Sequence, residues 1–287
     1  MNKIPRQRMR ELLESQQCFT CASVFDPLSA RMAESIGFKV GILGGSVAAL
    51  MTQGAPDIGL LTLSELAAQA KRVCGASDLP VIVDGDGGYG NALNVMKTIE
   101  ELEYAGASMV TLEDTILPRR HKEAPLSLIS IGEAKNKLKA ALRARSDNSF
   151  AIFARTHALP SQSLDELLTR VKSYSDVGVD GITIFGLSDK DKLALISATT
   201  HLPIMVISYG DVDLGTPNEL AMQKVRFRLG GHQAYEEAVR ATYNSMLKLH
   251  DARNFVQSND SGKDIIQRYS DSDKYNDLTN EFIFPVS

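Results

Sequence analysis

Eight short apolar runs recur along the chain, near residues 19–25, 39–45, 80–86, 108–114, 150–156, 181–186, 203–209 and 225–230. Most are β-branched and continuously apolar, the pattern of parallel strands covered on both faces. Between them the period changes. Ser64 to Cys74 places Leu66, Ala67, Ala70 and Val73 at helical spacing, and Asn91 to Ala105 does the same with Leu93, Val95, Met96, Ile99 and Leu102. Leu164 to Val177 and Ala234 to Leu249 behave alike, and residues 5–16 predict a leading helix. Gly37, Gly106 and Gly178 stand where helices should end before the next strand. Eight strand–helix units predict an α/β fold: a (β/α)8 TIM-type barrel with an extra N-terminal helix and a C-terminal helical extension.

A length of 287 residues suits one such barrel. No Pro/Gly/Ser tract or composition break interrupts residues 5–250, so 1–250 reads as a single barrel domain. Residues 251–287 differ, being polar and rich in Ser, Asp and Asn before the apolar cluster Phe282-Ile283-Phe284-Pro285-Val286. They read either as a partly disordered tail or as an arm packing its apolar end on a neighbouring subunit.

A net charge of −4 gives no basic patch and no reason to expect a nucleic-acid partner. No apolar run is long enough to span a bilayer, and the polar N-terminus does not resemble a signal peptide. Three cysteines make no disulfide framework. The expectation is a cytoplasmic protein without a membrane partner. Cys18-Phe19-Thr20-Cys21 has redox spacing, but it opens a strand rather than a helix, where a thiol pKa would fall. Asn259-Asp260-Ser261 is a formal glycosylation sequon without meaning in that compartment.

Polar residues that can do chemistry sit just past the C-terminal ends of the apolar runs, where a barrel gathers its active site. In Val81-Ile82-Val83-Asp84-Gly85-Asp86-Gly87-Gly88-Tyr89-Gly90 a strand stops at two carboxylates and enters a Gly-rich turn. Side-chain alternation turns Asp84 and Asp86 to one side and Gly85 to the other. Glu113 ends the fourth run and Asp57 follows the second. Four oxygen-donor acids around one mouth, with no Cys/His cluster, point to a hard cation, Mg2+ with Mn2+ as the alternative. Taken singly, each acid serves equally well as a helix cap or a structural pair. Gly44-Gly45-Ser46 is either an ordinary strand-to-loop turn or a place where the backbone can approach a ligand and hold a carboxylate. Arg155 can clamp a carboxylate or form a salt bridge at the mouth. Tyr209 and His232 add a phenol and an imidazole to the same rim.

These segments resemble the phosphoenolpyruvate mutase/isocitrate lyase superfamily. The resemblance rests on Asp84-Gly85-Asp86-Gly87-Gly88-Tyr89-Gly90, Leu112-Glu113-Asp114 and Ala154-Arg155-Thr156, and extends from about residue 10 to 250. Within the superfamily, Ala22 to Pro27, Gly41 to Ala48, Gly90 to Met96, Tyr209 and Gly231-His232 with Ala234-Tyr235 are similar to the bacterial branch that decarboxylates oxaloacetate. The resemblance implies a Mg2+-dependent homotetramer, a dimer of dimers, that takes a small 2-oxo dicarboxylate to pyruvate and CO2. It further implies that Ser46, Arg155 and His232 contact substrate, that Asp84 contacts the metal, and that Asp57, Asp86 and Glu113 complete the metal's water shell. In that chemistry Tyr209 or a water returns the proton to C3.

Superfamily lyases that cleave isocitrate or methylisocitrate carry a Lys-Lys-Cys-Gly loop after the fourth strand. Here the stretch Thr115 to Pro125 has no cysteine, which disfavours that activity, and it reads as a charged lid bounded by prolines. Gly85, Gly87 and His157 depart from the branch pattern. They keep two alternatives open: a C–C lyase for another 2-oxo or substituted malate-type acid, and a catalytically weak ligand-binding barrel. Replacement of His157 by Asn is expected to be tolerated.

Overall fold

The computed structural model describes residues 3–119 and 127–284. The strands are β1 (Phe19–Thr20), β2 (Ala22–Ser23), β3 (Gly41–Leu43), β4 (Val81–Asp84), β5 (Met109–Glu113), β6 (Ala151–Thr156), β7 (Gly181–Phe185), β8 (Ile204–Ile207) and β9 (Val225–Leu229). The helices of the barrel and its floor are α1 (Lys3–Glu14), α2 (Pro27–Ile36), α3 (Gly45–Gln53), α4 (Leu63–Cys74), α5 (Ala92–Tyr104), α6 (Ile131–Ala144), α7 (Ala158–Ser161), α8 (Leu164–Ser175), α9 (Lys190–Thr199), α10 (Pro217–Met222) and α11 (Gln233–His250). Two more, α12 (Gly262–Tyr269) and α13 (Ser272–Phe282), form the C-terminal extension.

All strand pairs are parallel, in the order β1-β9-β8-β7-β6-β5-β4-β3-β2. The first apolar run is two strands rather than one, because its halves bond to opposite neighbours. β1 pairs with β9 and β2 with β3, while Cys21 N–H donates to Arg228 O at 2.9 Å and Ala22 N–H to Val40 O at 3.0 Å. Cys21 is thus the seam that closes the barrel.

The continuous apolar runs resolve into two layers once their side chains alternate. Ile42, Ile82, Met109, Phe153, Met205 and Phe227 fill the barrel interior. Leu43, Val81, Val83, Val110, Ile152 and Val225 face the surrounding helices. Gly181 is an interior compensation: a Cβ there would come within 2.1 Å of the Phe153 ring, so glycine on β7 makes room for the aromatic ring of β6 in the core. Helix α1 seals the N-terminal end by inserting Met9 and Leu13 into the interior cluster. Buried Arg6 anchors it by donating to Ala107 O and pairing with Asp147, both at 2.9 Å. With that end closed, the C-terminal ends of the strands open onto a cavity.

Helix starts and stops follow local chemistry. Asp26, Thr62 and Asn91 cap α2, α4 and α5 through capping boxes, and Gly37 ends α2 in the left-handed region at φ 104°. Gly106 and Gly178 are likewise left-handed, as their positions implied.

The extension is helical, as expected, and α12 buries Ile265 against α11. Of the apolar end cluster, Pro285 and Val286 lie outside the described residues. Helix α11 is amphipathic yet contributes no buried residue over its 18 positions. It borders an apolar cleft of about 680 Å³ lined by Phe25, Leu50, Met51, Tyr235, Met246 and Ile266. Among the described residues, no helix is long and apolar enough to cross a membrane.

Candidate active site

A cavity of about 310 Å³ opens at the C-terminal ends of the strands. Gly44, Gly45, Ser46, Asp57, Asp84, Asp86, Glu113, Arg155, Tyr209 and His232 all line it, so the residues singled out from sequence share one chamber. Ile42, Phe185, Ile207 and Leu229 supply its apolar floor.

Asp84 is the last residue of β4. Asp86 reaches the cavity differently from the way strand alternation suggests, since β4 ends before it and its backbone turns left-handed at φ 46°. The turn is held by Gly88 N–H to Gly85 O at 2.9 Å and by Glu113 N–H to Asp86 O at 2.8 Å. A non-glycine residue in this region is strained by roughly 1–3 kcal/mol, the kind of local strain that functional sites carry. Gly85 does point outward, and there a Cβ would come within 2.7 Å of Val110, so its departure from the branch pattern reflects packing behind the strand. Gly87 faces the Lys137 ammonium: a Cβ there would lie 3.5 Å from Nζ.

Helix α3 begins directly at the cavity. Its N-cap is Gly44, which makes no side-chain cap; the Gly45 N–H donates to Asp84 Oδ2 at 3.4 Å, and the helix N-terminus faces the cavity. Both glycines answer to close approach. A Cβ on Gly44 would lie 2.7 Å from the His232 ring, and one on Gly45 would lie 3.3 Å from Asp86 Oδ1 and 3.5 Å from both Asp57 Oδ2 and Asp84 Oδ2. Three carboxylate oxygens therefore surround one point just off the Gly45 backbone.

Charge in this chamber is unbalanced. Arg155 NH1 donates to Asp84 Oδ2 at 2.7 Å, and NH2 lies 3.2 Å from Glu113 Oε2. Burial works to raise the Asp84 carboxyl. The Arg155 charge and hydrogen bond, with N–H groups of Asp86 and Gly45, outweigh it and hold Asp84 below the usual range. Asp86 is pushed well up by burial and by the charges of Asp84, Glu113 and Asp57. Glu113 is raised chiefly by burial. Asp57 is pushed up to about 6 by desolvation at the cavity wall and then by Asp84 and Glu113, although much of the residue stays open to solvent. One guanidinium does not neutralise four carboxylates.

A hard dication fits this chamber: the donors are all oxygen, the negative charge is uncompensated, and the Gly45 cradle is a space that any Cβ would fill. Among the described residues, no three acidic or imidazole groups stand close enough to form a ready cage. A Mg2+ ion that keeps most of its waters needs a wider ring, with one direct carboxylate and others reached through water.

His232, just before α11, bonds through Nδ1 to Ser23 Oγ at 2.7 Å. Its pKa is lowered by burial, so it is neutral. Tyr209 lies two residues past β8, half exposed, 6.0 Å from the His232 ring centre. Arg155 pairs with Asp84 and Glu113, so the salt bridge foreseen for it at the mouth is present.

Phe185 carries no signal in the sequence, and His157 stands there only as a departure from the branch pattern, yet both line the cavity. The His157 Nε2 accepts from Arg155 Nε at 3.0 Å, and its ring packs edge-on against Phe185 at 4.4 Å. The two-residue step from Arg155 to His157 along a strand end was the available signal. The lid stretch lies partly outside the described residues. Its base is held by Ile116 N–H to Ser127 O at 2.9 Å, and Ile116, Leu117 and Arg119 line the cavity. None of the three cysteines lines it, and burial raises the Cys18 thiol to about 11.

Comparison with known proteins places the molecule. The chain belongs to the phosphoenolpyruvate phosphomutase family, whose pattern matches residues 9–250. It is 46% identical to oxaloacetate decarboxylase 1 of Pseudomonas fluorescens (strain Pf0-1) over 273 residues, covering 94% of this chain and 93% of that one. Among solved structures, oxaloacetate acetylhydrolase in complex with the product oxalate is similar, with a TM-score of 0.77 at 25% identity over 96% of this chain and 98% of that chain. So is phosphonopyruvate hydrolase in complex with oxalate and Mg++, with a TM-score of 0.75 at 25% identity and the same coverage.

Proposed function

We propose that this protein is a Mg2+-dependent carboxy-lyase that converts oxaloacetate to pyruvate and CO2. The observation that carries the reading is the ring of Asp57, Asp84 and Asp86 oxygens around the Gly45 backbone, directly beside the open N-terminus of α3. The 46% identity to a decarboxylase over nearly the whole chain supports the choice of substrate.

Asp84 would hold the cation, with Asp86, Asp57 and Glu113 binding its water shell; Mn2+ is the alternative ion. When bound, the cation supplies Lewis-acid polarisation of the 2-oxo group. The protein's own groups do the rest. The Ser46 backbone N–H and hydroxyl hold the C1 carboxylate at the helix N-terminus. Arg155 keeps Asp84 ionised and sets positive charge beside the site where the enolate oxygen develops. His232 is neutral and fixed by Ser23, so it orients substrate through the opposite ring nitrogen. Tyr209, or a water beside it, returns a proton to C3 after C3–C4 cleavage. The apolar floor of Phe185, Ile207 and Leu229 keeps water from the breaking bond.

The exposed face of α11 and the adjoining apolar cleft support assembly with further copies into a homotetramer. Three unpaired thiols are consistent with a cytoplasmic setting. Residues 1–250 would form the barrel domain, with 251–287 as its extension. A substrate panel tests the activity: pyruvate should form from oxaloacetate and no succinate from methylisocitrate. Faster succinate release from methylisocitrate would overturn the assignment.

A further inference from the structure

We propose that His157 is a positioning residue that aims Arg155 at the acid ring; its kinetic consequence rests on the decarboxylase reading above. Arg155 and His157 stand two residues apart where β6 meets the cavity. Nε2 of His157 accepts from Arg155 Nε at 3.0 Å and lies 2.8 Å from NH2. Accepting there requires a lone pair on Nε2, so the ring is neutral.

A guanidinium is a rigid planar fork, so fixing one edge fixes the direction of the other. Here the Nε/NH2 edge is held by His157. The opposite edge delivers NH1 to Asp84 at 2.7 Å and brings NH2 within 3.2 Å of Glu113. The histidine is itself immobilised. Its ring meets Phe185 edge-on at 4.4 Å, and its backbone N–H donates to Asp114 Oδ1 at 3.1 Å. Asp114 is buried and also accepts from Thr156 Oγ1 at 2.7 Å, Tyr174 OH at 2.9 Å and Arg170 NH1 at 3.2 Å. The chain of contacts runs from a packed outer network, through an aromatic ring, to the guanidinium that keeps Asp84 ionised.

The length of the replacement matters. Gln places its Oε1 about as far from the backbone as His Nε2, Asn stops short, and Leu offers bulk without an acceptor. Four proteins decide the matter: H157Q, H157L, R155K and the double variant R155K/H157L. Each is measured for kcat/KM on oxaloacetate, for oxalate affinity by calorimetry in saturating Mg2+, and for melting temperature. H157L should lose roughly 10- to 100-fold in kcat/KM, the usual effect of removing a supporting contact to a metal-site residue. H157Q should recover most of that loss. H157L should add almost nothing on top of R155K, because both act through one guanidinium. Oxalate affinity should show the same non-additive pattern. Crystal structures should show the guanidinium on Asp84 in H157Q and turned away in H157L.

Equal losses in H157Q and H157L, additive effects with R155K, or an unmoved guanidinium in H157L would each overturn the proposal. Failure of the wild-type protein to release pyruvate would count against the activity reading alone, since oxalate binding and the crystal structures judge His157 without turnover.

Discussion

Gly45→Ala perturbs the acid ring without altering any acid. Gly45 is the first residue of α3 and its backbone is not left-handed, so alanine can adopt it without strain. The added methyl would sit 3.3 Å from Asp86 Oδ1 and 3.5 Å from Asp57 Oδ2 and Asp84 Oδ2, a tight but tolerable fit. The apo protein should therefore melt close to the wild-type temperature. A Mg2+ ion with oxygens at about 2.0–2.1 Å and its remaining waters needs the same space. Losing one water position, or pushing the ring apart, should weaken Mg2+ by about 10- to 100-fold, comparable to loss of a metal-site supporting group, or about 1.4–2.7 kcal/mol. Calorimetric Mg2+ titration and EDTA melting curves provide the assay, and excess Mg2+ should restore part of the turnover. A folded variant with wild-type Mg2+ affinity would show that the cation does not lie among these carboxylates.

Other expectations follow from the same geometry. Asp84→Ala should abolish metal-dependent activity while the protein stays folded; unchanged turnover and Mg2+ affinity would refute the direct-ligand role. Gly44→Ala drives a methyl into the His232 ring, so kcat/KM should fall by about 30-fold or more with Mg2+ affinity near wild type, as steady-state kinetics with metal titration would reveal. Gly181→Ala strikes the Phe153 ring in the barrel interior and should destabilise by at least about 1–3 kcal/mol in denaturant melts. Asp57 carries a raised folded pKa, so without metal its protonated form contributes stability below pH ~4 that is lost as pH rises through about 6, and Asp86, also raised, adds a loss of the same sign. Mg2+ affinity should strengthen over that same rise; because the lowered His157 and His232 pKa values act in the opposite direction, the sign is read against Asp57→Asn melted in EDTA, and a wild-type stability relative to that variant that fails to fall from pH 4 to 6 would contradict it. Sedimentation should give a tetramer, and a charge at Met246 in the apolar cleft should break it into smaller species.

Much of this fold was legible because β-branched runs and helical spacing are direct consequences of burial on two faces or one. The ten cavity residues were legible for a related reason: a parallel barrel collects whatever follows each strand, so position in the chain forecasts position at the mouth. What escaped was pairwise. The break at Cys21 depends on which neighbour each half-strand meets, and no local pattern carries that. Asp86 enters the cavity through a left-handed turn rather than strand alternation, which only the tertiary bonds from Gly88 and Glu113 specify. Arg155 read as either a carboxylate clamp or a salt bridge at the mouth, and its partners, Asp84 on β4 and Glu113 on β5, are too distant in sequence to be named from it. His157 read as a neutral departure until its acceptor role toward Arg155 became visible. Asn, one bond shorter, is consequently a poorer replacement than Gln.

The most direct test of the account is an NMR time course of oxaloacetate with the purified protein, run in EDTA, after Mg2+ addition, and against a protein-free Mg2+ control. The account predicts stoichiometric pyruvate and CO2 far above the control, absent in EDTA and restored by Mg2+. Pyruvate formation that matches the protein-free control, or that persists undiminished in EDTA, would contradict it.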